Sequence, residues 1–362
     1  MASILRSGRA GRLMSRRNSP GLLLSEHAEE VEQVKRLAII GAGAWGTALS
    51  VVARCAGSMP VLWARDRAIV AAINERHENP SLLPGAILDS TIVATSDIDA
   101  ATADAEAALL AIPAQFLRAV ILTLRPGLPS GLPVLHCSKG IEAESLRTMS
   151  EVSAELLPNS PVAVLSGPTF AAEVARGLPT AVTIASRDAA LAHAFVGALG
   201  SGRFRPYVSD DPTGAEIGGA VKNVIAIACG TVVGRGLGEN ARASLITRGL
   251  AEMVRVGLAK GARAETFRGL SGLGDLVLTC SSAQSRNYAL GLALGRGQVA
   301  GEALAGRRSV VEGVATATAV SGLAQQLGID MPISDAVDAV LHRGASIDTM
   351  IDGLLRRPHR RE

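Results

Sequence analysis

The run Arg36-Leu-Ala-Ile-Ile40 is apolar after its first residue and leads without a break into Gly41-Ala-Gly-Ala-Trp-Gly46. A stretch of helical composition, Thr47 to Cys55, follows. Three glycines at this spacing between a strand and a helix leave few folds open. Gly41 permits a tight turn, Gly43 lets backbone approach a pyrophosphate, and Gly46 allows the helix to pack close on the strand. A helix starting there presents free N–H groups and a partial positive charge to phosphates. The expectation is a dinucleotide-binding βαβ unit.

Apolar runs and helical segments then alternate. Val61-Leu62-Trp63-Ala64, Ile92-Val93-Ala94, Ala108 to Ile112 and Val134 to Cys137 read as strands. So do Val162 to Leu165, Thr180 to Ala185 and Phe204 to Val208. Gln115–Leu124, Glu144–Leu157 and Ala189–Leu199 read as helices between them. The alternation predicts an α/β fold, a Rossmann-type doubly wound parallel sheet covered on both faces. After about residue 210 the strand signal stops. Thr213-Gly-Ala-Glu216 has capping-box spacing, and Arg242–Lys260, Asn287–Leu294, Val314–Leu327 and Asp335–His342 read as helices. The chain therefore divides into a basic, disordered extension (1–34), a dinucleotide-binding domain (35–212), an all-helical C-terminal domain (213–355) and a basic tail (356–362).

Composition excludes several classes. Hydrophobic residues make up 48% of the chain and aromatics 2%, so its cores must be packed with small aliphatic side chains. The net charge of +3 owes its sign to Arg6, Arg9, Arg12, Arg16 and Arg17. Without those five, 31 of the 36 basic residues remain against 33 acidic ones, so no basic stripe for nucleic acid is expected. That Arg- and Ser-rich start resembles a targeting segment, and a plain extension would read the same. Unbroken apolar runs fall short of the roughly 18 residues of a membrane span, so a soluble, cytoplasmic chain without integral membrane contact is expected. Cys55, Cys137, Cys229 and Cys280 are widely spaced and read as reduced core residues. The six histidines form no H-x-x-x-H pair, and no metal site is expected.

Only four basic residues are lysines: Lys35, Lys139, Lys222 and Lys260. Lys139 follows an apolar strand in Cys-Ser-Lys-Gly140, at a strand end where doubly wound sheets bind ligands. Ser166-Gly-Pro-Thr-Phe170 is another strand-end loop, where Gly167 and Thr169 offer an N–H and a hydroxyl. Lys222 stands in Gly-Gly-Ala-Val-Lys-Asn-Val224, with Gly218, Gly219 and Ala226 as its helical neighbours. Those small residues leave room for a ligand or for another backbone. Such a lysine either snorkels to water, pairs with an acid such as Glu216, or does chemistry. Gly272-Leu-Gly-Asp-Leu276 sets Asp275 in a glycine-rich turn, and Gln284-Ser-Arg-Asn287 sets Arg286 at a helix start. A guanidinium there binds an oxyanion bidentately, although an ordinary helix cap has the same composition.

Gly-Ala-Gly-Ala-Trp-Gly-Thr-Ala-Leu49, Cys-Ser-Lys-Gly140, Ser-Gly-Pro-Thr-Phe170, Gly-Gly-Ala-Val-Lys-Asn-Val224, Gly-Leu-Gly-Asp-Leu276, Gln-Ser-Arg-Asn287 and Val-Val-Glu-Gly313 occur in one order. Together, over about residues 35 to 350, they resemble the bacterial-type NAD(P)-dependent sn-glycerol-3-phosphate dehydrogenases. The resemblance implies interconversion of glycerol 3-phosphate and dihydroxyacetone phosphate by hydride transfer at C2, supplying phospholipid synthesis. It implies Lys222 as proton acceptor. It implies a phosphate-bearing small substrate held by Lys139, Gly167, Thr169, Lys222, Asp275, Ser285, Arg286 and Asn287. Its cofactor, NADPH or NADH, would meet Gly41, Gly43, Ala44, Trp45, Gly46, Arg65, Lys139, Ala171, Arg286, Val310 and Glu312. A homodimer is the expected assembly.

An amine serves as a base near neutral pH when burial and cationic neighbours depress its pKa. Lys139 and Arg286 are the expected source of that field, with Asp275 opposing too large a shift. Arg65, just past the second strand, suits a 2′-phosphate, while Asp66 would suit a ribose 2′-hydroxyl. The rival readings are a β-hydroxyacid or ketopantoate type of reductase, which also carries a helix-borne lysine, and a non-catalytic nicotinamide sensor. Arg286 argues against the first, and the set of Lys139, Lys222 and Asp275 against the second.

Overall fold

The computed structural model describes residues 34–305 and 309–358. The basic extension expected before residue 34 and the end of the tail, 359–362, lie outside the described residues.

The strands are β1 (Arg36–Ile40), β2 (Met59–Trp63), β3 (Glu78–Asn79), β4 (Leu83–Ile87) and β5 (Val93–Thr95). They continue as β6 (Ala107–Leu110), β7 (Val134–His136), β8 (Val162–Ser166), β9 (Thr180–Ala185) and β10 (Phe204–Ser209). Among them run α1 (Ala44–Cys55), α2 (Arg67–Arg76), α3 (Ile98–Thr102), α4 (Leu117–Leu124), α5 (Met149–Leu156), α6 (Ala171–Ala175) and α7 (Ala189–Leu199). Beyond β10 come α8 (Pro212–Gly234), α9 (Gly238–Ala259), α10 (Asp275–Cys280) and α11 (Arg286–Gly295). The last are α12 (Ala300–Leu304), α13 (Glu312–Leu327), α14 (Pro332–His342) and α15 (Ile347–Leu355).

Eight strands form one sheet in the order β10-β9-β8-β7-β6-β1-β2-β5. Strand order reverses at β1 and β6, the switch point where α/β sheets open a ligand crevice. Alternate residues of β1 feed opposite cores: Leu37 and Ile39 pack on one face, Ala38 and Ile40 on the other. Each fully buried leucine or isoleucine contributes about 1.5–3 kcal/mol, so both faces must be covered.

Two features depart from the parallel pattern. β9 runs antiparallel to β8. The helix between them, α6, has five residues, and at about 1.5 Å rise per residue it is too short to carry the chain back along a strand. The hairpin β3–β4 was not legible in the sequence, and it has a use. Asn79 Nδ2 donates to the carbonyl of Ala42 and to Thr47 Oγ1, both at 2.9 Å, bracing the glycine turn from outside.

Helix starts also differ. α8 begins at Pro212, where a missing N–H costs nothing, and Asp211 caps it by accepting from the N–H of Gly214 at 2.9 Å. Thr213 is thus inside the helix, and Glu216 instead accepts from the N–H of Ser150 at 2.8 Å and from its hydroxyl. α5 starts later than expected, at Met149, behind a capping box made by Thr148 and Glu151. Cys55 is exposed, whereas the other three free cysteines are buried.

α8 is the axis of the helical region. By length and composition its 23 residues could cross a membrane, yet 78% of its most apolar window is buried inside the protein. α11 lies against it at backbone distance. A Cβ on Gly230 would sit 2.1 Å from the carbonyl oxygen of Tyr288, and one on Gly291 2.1 Å from that of Ile227. Gly234 and Gly295 repeat the contact a turn later. These glycines bring the start of α11 close to Lys222.

Candidate active site

At the switch point the glycine turn is closed on one side and open on the other. Gly41 has φ +110°, and a Cβ there would lie 2.7 Å from the carbonyl oxygen of Ala111 beyond β6. A Cβ on Gly46 would meet the Gly41 carbonyl oxygen at 1.8 Å. A Cβ on Gly43 would meet only open space, and Gly43 caps α1 with no side-chain hydrogen bond, so no side chain caps the first-turn N–H groups of Ala44 and Trp45. Trp45 Nε1 is buried without a partner among the described residues. The turn therefore fits a dinucleotide pyrophosphate: it has uncapped donors, no side chain in the way, and the positive end of a helix.

Arg65 follows β2 and is exposed. Asp66 is committed elsewhere, since its carboxylate caps α2 through the N–H of Ala68 at 2.8 Å. Ala171 opens α6 and packs partly buried against the core that contains α1. Val310, exposed, just precedes α13, and Glu312 is its first residue. Glu312 Oε1 accepts from the N–H of Ala114 at 3.2 Å, while Oε2 is buried without a partner among the described residues. Burial raises the Glu312 carboxyl to about 7, with the Ala114 N–H and the Arg286 charge pulling it back.

The lysines meet on one carboxylate. Lys222 Nζ, buried in the middle of α8, donates to Asp275 Oδ1 at 2.9 Å and to Thr279 Oγ1 at 2.8 Å. Lys139 Nζ, in the loop after β7, donates to Asp275 Oδ2 at 2.8 Å, to the carbonyl of Gly167 at 2.6 Å and to Thr169 Oγ1 at 3.0 Å. Asp275 is fully buried at the first position of α10, directly after a π-helical turn, Leu270–Gly274. Burial pushes the Lys222 ammonium down to about 8; Asp275 pulls it up, and the Lys139 charge pushes it further down. Glu216 plays no part here, because it serves α5. Nor does the ammonium snorkel.

The small neighbours of Lys222 admit backbone. A Cβ on Gly218 would lie 2.4 Å from the Ser271 carbonyl oxygen, and one on Gly219 2.9 Å from Ser166 Oγ. The π turn that delivers Asp275 thus presses directly on α8. Gly167, at φ +140°, lies against Val182 of β9, 3.0 Å from its Cα to a hypothetical Cβ.

Ser285 caps α11 by accepting from the N–H of Tyr288 at 3.2 Å. Arg286, the first residue of α11, is exposed, and its charge acts on Glu312. Asn287 is buried and bonds Asn223. Gln284 reaches Glu173 of α6 at 3.0 Å. Thr279 went unread in the sequence, although it stands four residues after Asp275, the spacing that shares a helix face.

A Rossmann-type sheet whose switch-point crevice adjoins a buried, pKa-lowered lysine defines a class, the dehydrogenases that carry hydride on a nicotinamide dinucleotide. Residues 36–192 match the family described as NAD-dependent glycerol-3-phosphate dehydrogenase N-terminus, and residues 211–352 its C-terminus counterpart. The chain is 56% identical over 329 residues to a glycerol-3-phosphate dehydrogenase (NAD(P)+) of Rhodospirillum rubrum, covering 91% of this chain and 94% of that one. To the enzyme of the same name in Caulobacter vibrioides it is 55% identical over 324 residues, covering 90% and 98%. The crystal structure of glycerol-3-phosphate dehydrogenase from Coxiella burnetii superposes with a TM-score of 0.86 at 38% identity, covering 90% of this chain and 99% of that one. The chain belongs to the NAD(P)-dependent glycerol-3-phosphate dehydrogenase family.

Proposed function

We propose that this chain interconverts sn-glycerol 3-phosphate and dihydroxyacetone phosphate with NAD(P)H, as a cytoplasmic homodimer that supplies glycerol 3-phosphate for phospholipid synthesis. The observation that carries the chemistry is Lys222, held on the same carboxylate as Lys139 with its pKa lowered to about 8. A nicotinamide dinucleotide held at the glycine turn would supply or accept the hydride at C2. Lys222 as free amine takes the C2 hydroxyl proton in the oxidising direction, and as ammonium returns it to the C2 oxygen in the other. Asp275 and Thr279 hold Nζ in one direction.

In this reading Lys139, Gly167, Thr169, Asp275, Ser285 and Asn287 enclose the substrate, and Arg286 binds its phosphate bidentately. Gly41, Gly43, Ala44, Trp45 and Gly46 would cradle the pyrophosphate. Arg65 would meet the adenosine ribose, and Ala171, Val310 and Glu312 would also hold the cofactor. The test follows absorbance of NADPH or NADH with dihydroxyacetone phosphate as sole acceptor. Rapid oxidation is the expected result. No oxidation, with ketopantoate or a β-keto acid reduced instead, would move the chain to the rival reductase reading.

A further inference from the structure

Two buried amides make a contact the reading so far does not use: Asn223 has no role yet, and Asn287 has only its place around the substrate. Asn223 follows Lys222 on α8 and is 4% exposed. Its Nδ2 donates to the backbone carbonyl of Lys139 at 3.1 Å and to that of Gly219, one turn back, at 3.3 Å. Its Oδ1 accepts from Asn287 Nδ2 at 2.8 Å. Asn287 Oδ1 in turn accepts from the N–H of Gly313 at 2.9 Å. A single run of hydrogen bonds therefore crosses four segments: the start of α13, the start of α11, the middle of α8 and the loop after β7.

The ends of this run dictate its polarity. A backbone N–H only donates and a carbonyl only accepts, so each amide has one allowed orientation. The fit leaves no slack, because a Cβ on Gly313 would lie 2.7 Å from both the Asn223 carbonyl oxygen and Asn287 Oδ1. Each linked segment carries a group of the candidate site as this residue or its neighbour: Glu312, Arg286, Lys222 and Lys139. Neither amide is bonded to Lys222 Nζ or to Asp275.

We propose that the Asn223–Asn287 amide pair is a positioning device for the reaction, setting Lys139 and the start of α11 at fixed distances from Lys222. This rests on the dehydrogenase reading above. Asn223 acts through its neighbours: by holding the Lys139 carbonyl it keeps that ammonium on Asp275, where its charge depresses the pKa of Lys222. Misplacing a reacting group by about 1 Å costs on the order of 100-fold in rate, so a loose amide would register in kcat.

The test uses the full chain and three variants, Asn223→Ala, Asn287→Ala and the double variant, with isosteric Asn223→Asp and Asn287→Asp should an alanine variant not fold. Wild-type reduction of dihydroxyacetone phosphate is measured alongside; its absence would remove the parent reading and leave this one without an object. The expected result is a kcat lowered roughly 10- to 100-fold in each single variant. The double variant should lose no more than the worse single one, since the run is already broken once. The inflection of the pH profile near 8 should move upward as Lys139 recedes. Folded variants with wild-type kcat and an unmoved pH profile, or losses that multiply in the double variant, would overturn the proposal.

Discussion

Lys222 Nζ lies 2.9 Å from Asp275 Oδ1, yet the two do not form a simple ion pair, because the other carboxylate oxygen is taken by Lys139 at 2.8 Å. One buried negative charge is shared by two ammonium groups. An ordinary partner would hold a lysine's pKa up; half a partner does not, and burial decides the direction. The outcome is a lysine near 8 inside an apolar helix.

The pH dependence follows in sign. Because the Lys222 pKa is lowered to about 8, raising the pH through that value produces free amine. With Lys222 in its proposed role, oxidation of glycerol 3-phosphate draws on the amine and should rise through about pH 8 and level off. Reduction of dihydroxyacetone phosphate, which needs the ammonium, should fall over the same interval. Profiles of kcat/KM in both directions check this, and profiles flat between about pH 7 and 9 would exclude Lys222 as the titrating group.

Replacing Lys222 separates its proposed part in the chemistry from folding. Lys222→Met should lower kcat by roughly 10²–10⁴, the range that general base catalysis supplies. The fold should persist, because Asp275 keeps Lys139 and Thr279 as partners and no uncompensated charge is left behind. Kinetics are paired with a urea melt. A folded variant with near-normal kcat would end the assignment.

Asp275→Asn should behave in the opposite way. It leaves two buried or half-buried ammonium groups facing each other without a counter-charge, so a stability loss of about 3–5 kcal/mol is expected. Asp275 raises the Lys222 pKa, so its removal should also shift the pH inflection downward. A variant with wild-type melting and an unshifted profile would contradict both statements.

The cofactor preference we propose turns on residues 65 and 66. Asp66 caps α2, which leaves exposed Arg65 to meet a 2′-phosphate. NADPH should be used at least as well as NADH, and Arg65→Ala should lower kcat/KM for NADPH while leaving that for NADH nearly unchanged. A wild-type preference for NADH of about tenfold or more would refute the assignment.

The sequence alone determined what is local. The glycine turn after β1, the alternation that builds the sheet, and the all-helical character beyond residue 212 are readable because turn chemistry and hydrophobic period act between near neighbours. Lysine scarcity pointed to Lys139 and Lys222. It could not say that they share a carboxylate, since Asp275 is 136 residues from the one and 53 from the other. The glycines before Lys222 read equally as room for a ligand or for a backbone, and packing chose the backbone of Ser271. Glu216, a capping residue by spacing, was drawn instead to Ser150, and the turn of β9 against β8 followed from the shortness of α6. Burial is the common reason. A buried charge or amide must find its partner wherever the fold supplies one, and only the tertiary structure decides which distant residue that is.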